Sequence, residues 1–158
     1  MSITPYSSRR TSIQHAGVVK TLRAASGALR AGEASTGVRI HHYVQATLVL
    51  TITDLVITDT GSQVDFYIQT SFDEEVTWTD MENIHFDNTD STTDTIVKII
   101  RFGVVAHATG DTAFDNTDGT LTDDTKVKIG LGTHIRVKVV ADLPTGDFYD
   151  YSCVGFFR

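Results

Sequence analysis

Val64-Asp65-Phe66-Tyr67-Ile68-Gln69-Thr70 runs directly into Ser71-Phe72-Asp73-Glu74-Glu75-Val76-Thr77-Trp78. The first seven residues alternate apolar and polar side chains with period two, the pattern of a β-strand. The next eight read as a tight hairpin turn, because Ser71 and Asp73 can accept hydrogen bonds from the turn's own amides. Thr77-Trp78-Thr79-Asp80-Met81 supplies the return strand. Trp78 is the only tryptophan and is predicted to be a buried anchor of the hairpin.

The same reading extends outward on both sides. Val44, Ala46, Leu48, Leu50 and Ile52 share one face of a strand, with Tyr43, Gln45, Thr47, Val49 and Thr51 on the other. Leu55-Val56-Ile57 continues or restarts it, and Asp59-Thr60-Gly61-Ser62 is a turn. Asn83-Ile84-His85-Phe86 extends the hairpin's second arm. Further strands are expected at Thr95–Phe102, Lys126–Ile129 and His134–Val140, and the aromatic run Phe148–Phe157 forms the last. Seven or eight strands at even spacing predict an all-β fold, an antiparallel β-sandwich of jelly-roll-like form.

Residues 1–36 have a different character. Val18–Ala25 has the composition of a short helix, but Gly17, Gly27, Gly32 and Gly37 interrupt the stretch. Arg9, Arg10, Lys20, Arg23 and Arg30 against Glu33 give it a charge of +4, while residues 37–158 carry −11, summing to the chain's −7. The division predicted is an extended basic arm over 1–36 and a sandwich domain over 37–158. The acidic body argues against nucleic-acid binding. No apolar run approaches the roughly 18–20 residues of a membrane span, and no signal peptide is expected. The single cysteine, Cys153, rules out an internal disulfide and is expected to pack as a small apolar group.

Candidate chemistry is thin. Asp111, Asp115, Asp118, Asp123 and Asp124 crowd one excursion, roughly 103–125, without the ligand spacing of an EF-hand, and are read as turn-shaping residues of a solvated loop. His41, His42, His85, His107 and His134 are scattered and are read as surface or part-buried side chains, not zinc ligands. No nucleophile elbow, P-loop or dinucleotide fingerprint occurs. A glycosidase needs two placed carboxylates, and twenty acidic residues single out no pair. Tyr149, Tyr151 and Phe157 suit sugar stacking, but core or interface packing is the commoner fate of such residues. The pentapeptide Phe86-Asp87-Asn88-Thr89-Asp90 recurs at Phe114–Asp118 and suggests two similar loops at one end of the sandwich.

Two resemblances bear on function. Ser71-x-Asp73-x-x-x-Thr77-Trp78 resembles the Asp-box hairpin of sialidases and other β-proteins, a structural element, with Glu75 where the box has glycine. Ile68-Gln69-Thr70-Ser71, Asp73…Thr77-Trp78, Ile135-Arg136-Val137 and Leu143-Pro144-Thr145-Gly146, followed by an aromatic closing strand, resemble a family of small tailed-phage virion proteins. Glu74-Glu75 replaces that family's double glycine, and the acidic excursion is additional. The resemblance implies a capsid decoration (cement) protein on the head exterior, assembled in the host cytoplasm. It would be a trimer that bridges subunits of the major capsid protein, non-enzymatic and without cofactor or metal. Arg9, Arg10, Lys20, Arg23 and Arg30 would form the capsid-contact arm, and Phe114, Asp115 and Asp118 an interface loop. The alternative is a carbohydrate- or receptor-binding module of a tail or fibre.

Overall fold

The computed structural model describes residues 17–25, 27–103, 118–127 and 129–158. It is an antiparallel β-sandwich of two sheets. One, sheet A, has the order β1 (Val18–Arg23), β9 (Phe148–Phe157), β4 (Ala46–Val56) and β7 (Ile96–Phe102). The other, sheet B, has the order β2 (Glu33–Ala34), β8 (His134–Asp142), β5 (Gln63–Ser71) and β6 (Thr79–Asp87), with β3 (Val38–Arg39) also on β8. The pairs β5–β6, β4–β7, β3–β8 and β1–β9 are nested one inside the next along the chain. Contacts β4–β9 and β5–β8 then join alternate pairs of this nest, one set in each sheet.

Alternation decides which face of each strand points inward. In β4, Ala46, Leu48, Leu50 and Ile52 are buried between the sheets, while Thr47, Val49 and Thr51 face out. A register shift between Ile52 and Asp54 restores Leu55 to the inside, so the strand continues through Val56. It begins at Ala46; Val44 is exposed and lies outside it. Phe66 sits at the centre of the core. Its ring makes edge-to-face contacts with Tyr151 at 5.1 Å, Tyr149 at 5.8 Å and Phe86 at 5.9 Å, the favoured geometry for aromatic pairs. Cys153 is fully enclosed, and burial pushes its thiol up to about 12, leaving it a neutral packing group.

Several expectations change. Val18–Arg23 is a strand, not a helix: β-branched Val18, Val19 and Thr21 favour extended backbone, and pairing with β9 supplies the hydrogen bonds. Residues 18–23 and 33–34 are thus built into the two sheets, and Leu22 is buried in the core. Arg9 and Arg10 lie outside the described residues. Of the expected strand Lys126–Ile129, Lys128 lies outside the described residues; Lys126 makes a bridge to Glu82, and the Val127 amide donates to the Met81 carbonyl of β6. The hairpin's second arm is a single strand that begins at Thr79, with Trp78 just before it.

Candidate functional site

The hairpin is built as its residue types dictate. Ser71 Oγ accepts from the Glu75 amide at 2.9 Å and donates to Asp73 Oδ1 at 2.9 Å. Asp73 accepts from the Thr77 amide at 2.8 Å and the Thr77 hydroxyl at 2.6 Å. Those Thr77 bonds hold the Asp73 carboxyl below the usual carboxylate range. Glu74 and Glu75 both adopt positive φ, 57° and 72°. The backbone therefore has the left-handed conformation that glycine favours, although glutamate occupies it. Trp78 is only 8% exposed, but it lies outside the inter-sheet core. Its ring is covered by the Arg136 guanidinium at 4.1 Å.

The outward face of sheet B carries a polar network that the alternation marks as polar without revealing that it is covered. Cross-strand register aligns Arg136, Gln69 and Asp80 in one row and Lys138, Tyr67 and Asn83 in the next. Residues 118–127 return across this face. Asp80, fully buried, accepts from Gln69 Nε2 at 2.7 Å and from the amides of Gly119, Thr120 and Leu121 at 3.0–3.2 Å. Asp118 accepts from Lys138 at 2.9 Å, Gln69 at 2.9 Å and Arg136 at 3.2 Å. Partial burial opposes ionisation of Asp118, but the Lys138 and Gln69 hydrogen bonds and the two cations outweigh it and lower its pKa.

Asp118, expected in a partner-facing loop, is tied by these bonds to sheet B while its side chain stays 54% exposed. Only the end of the excursion is described, and it packs on sheet B; Phe114 and Asp115 lie outside the described residues. In the first copy of the pentapeptide, Asp87 caps the turn Asn88–Asp90 by accepting from the Thr89 amide at 2.7 Å. Of the second copy only Asp118 is described.

The network ends in a small cluster. His85 Nδ1 lies 2.9 Å from Asp65 Oδ1 and 3.6 Å from Asp123 Oδ2. Burial pulls the His85 pKa down, but the Asp65 hydrogen bond and the charges of Asp65, Asp123 and Asp124 raise it overall. Tyr67 is pushed up to about 12, first by burial and then by Asp65, Asp80 and Asp123. Neither the scattered histidines nor the acidic excursion marks this grouping in the sequence, since Asp65, His85 and Asp123 come from three separate segments. The legible signal is the shared strand phase of Asp65 with Tyr67 and Gln69.

The expected arm cations divide. Arg23 binds Glu33 Oε1 at 2.6 Å, and the Tyr151 hydroxyl donates to the same oxygen at 2.9 Å. This pair ties β1 of sheet A to β2 of sheet B at the open edge of the sandwich. Lys20 lies half-buried in β1, and Arg30 is exposed.

Sheet A is different outside. Its outward rows run Val19–Phe156–Thr47–Arg101, then Thr21–Val154–Val49–Ile99, then Ser152–Thr51–Val97. Val19 (59%), Ile99 (58%), Val97 (53%) and Phe156 (48%) are substantially exposed. An open depression of about 480 Å³ lies at one end of this face, lined by Val19, Thr47, Arg101, Phe156 and Arg158 among others. No helix among the described residues is long and apolar enough to cross a membrane. No protein-family model matches the chain, and no curated protein matches it in sequence.

Proposed function

We propose that this protein is a capsid decoration (cement) protein of a tailed phage. In this reading it sits on the head exterior, bridges subunits of the major capsid protein, and assembles as a trimer. The outward face of sheet A carries the reading. It places Val19, Val97, Ile99 and Phe156 on one exposed apolar surface instead of scattering them. Contiguous exposed apolar surface of this kind marks protein–protein contact more often than chemistry. The nested pairing β1–β9, β3–β8, β4–β7 and β5–β6 supports a jelly-roll reading of the sandwich, an architecture used in viral shells. The resemblance of the hairpin and closing strands to small virion proteins points the same way.

The test is cosedimentation with purified heads of the phage that carries the gene, using the wild type and a Val97→Asp/Ile99→Asp variant. The expected result is binding by the wild type and none by the variant, with both showing the same circular dichroism and cooperative unfolding. Equal binding by both proteins, or binding to host cells or glycans with none to heads, overturns the reading; the latter favours a receptor-binding module.

A further inference from the structure

The cluster at the end of the sheet B network has the chemistry of a metal site. Asp65 (2% exposed) projects from β5 and His85 from β6, and Asp123 comes from the covering segment. One ligand atom from each lies within 4.8 Å of the other two. Donor atoms around one ion, each about 2.0–2.2 Å from it, stand roughly 3–4 Å apart, and the two distances from His85 Nδ1, 2.9 and 3.6 Å, fall at that scale.

A second observation is independent of the carboxylates. Asn83 is 1% exposed and its amide is aimed into the cluster. Nδ2 lies 3.0 Å from the Leu121 carbonyl oxygen, 3.3 Å from Asp65 Oδ1 and 3.4 Å from Asp123 Oδ1. Its Oδ1 is buried with no hydrogen-bond partner among the described residues, an arrangement that costs stability in an enclosed site. These three acceptors put the amide nitrogen on the cluster side of the side chain, and a half-turn would exchange it with Oδ1. A cation among these oxygens would replace Nδ2 as their partner, and the half-turn would then present Oδ1 to it and relieve the orphaned oxygen. Gln63 Nε2 holds Asp65 Oδ2 at 3.1 Å, leaving Oδ1 to face the cluster.

We infer that Asp65, His85 and Asp123, with the Leu121 carbonyl and the Asn83 amide oxygen, bind a divalent transition-metal ion of the zinc class. One imidazole nitrogen among carboxylate and carbonyl oxygens suits Zn²⁺ better than Ca²⁺, which takes all-oxygen shells. Two carboxylates against one imidazole leave room for a double positive charge. The ion would clip the 118–127 segment to β5 and β6, adding a bond to the native state that the unfolded chain lacks.

The experiment uses the full chain after chelator treatment, titrated with ZnCl₂, MnCl₂ and CaCl₂ by calorimetry and thermal scanning. Wild type is compared with Asp123→Ala, which changes an exposed side chain, and His85→Gln. The expected result is one-to-one Zn²⁺ binding with a raised midpoint and weaker Mn²⁺ binding. Both variants lose the Zn²⁺-dependent rise while keeping the wild-type circular dichroism. X-ray absorption at the zinc edge of the wild type reads the ligands without any variant, and one nitrogen in an oxygen-rich shell is expected. The inference is overturned if no ion binds or only Ca²⁺ does. It is also overturned if both variants bind like the wild type, or if the shell holds two imidazoles, as adventitious binding at the adjacent His41 and His42 would give.

Discussion

At the scale of single residues, the hairpin shows a local conflict. Ser71, Asp73 and Thr77 bond the turn together, with Thr133 bonding the Glu74 amide and the Ser71 carbonyl, yet Glu74 and Glu75 stand at positive φ. A non-glycine residue in that region is strained. Glu74→Gly is therefore expected to stabilise the protein by about 0.5–1 kcal/mol in urea unfolding, the gain from relieved strain exceeding glycine's entropy cost. No gain, or a loss, would mean that the glutamate side chain offsets the strain. Trp78→Ala acts in the opposite direction, by about 3–5 kcal/mol, because the ring is buried beneath Arg136. Asp118 gives a pH dependence whose sign is set by its depressed pKa. A carboxyl ionised more readily in the folded state contributes stability above its unfolded value of about 3.9, which is lost as pH falls through the lower folded value. Asp118→Asn should thus be less stable than wild type at neutral pH, and the gap should close on acidification. A gap constant with pH would show that the charge is not what holds the 118–127 segment.

At the scale of elements, period-two alternation located β4, β5, β8 and β9 because each turns an apolar row into the core. It failed at β1, where Leu22 is the one buried side chain and pairing with β9 makes the strand. It also left the polar face of β5 looking solvated, because alternation reports polarity and not what lies on top. Gln69 and Asp80 are buried by a segment some forty residues away in sequence, a contact no local pattern encodes. The reassigned β1 has a direct consequence. Deleting residues 1–23 removes Leu22 from the core, unpairs one side of β9 and breaks the Arg23–Glu33 tie. The loss is expected to be on the order of 3 kcal/mol or more from Leu22 burial and the edge strand together. An unchanged denaturation midpoint would show instead that 18–23 is a dispensable arm.

At the scale of the whole molecule, the two sheets present unlike outer surfaces. Sheet B is covered by residues 118–127 and tied down by buried carboxylates, whereas among the described residues sheet A carries an exposed Val/Ile/Phe face. That asymmetry suits a module docked through one side. The sandwich was legible in the sequence because strand spacing and turn residues are local. The exposed apolar face of sheet A was not, since Val97 and Ile99 join Val19 and Phe156 only through cross-strand register. The most direct measurement is a cryo-electron microscopy reconstruction of the purified virion. The account predicts two-sheet sandwiches at regular positions on the head exterior, grouped in threes, with β7 and the rest of sheet A's outer face against shell or sibling subunits. Sandwich density confined to the tail or fibres, or head-bound copies with the sheet A face open to solvent, would contradict it.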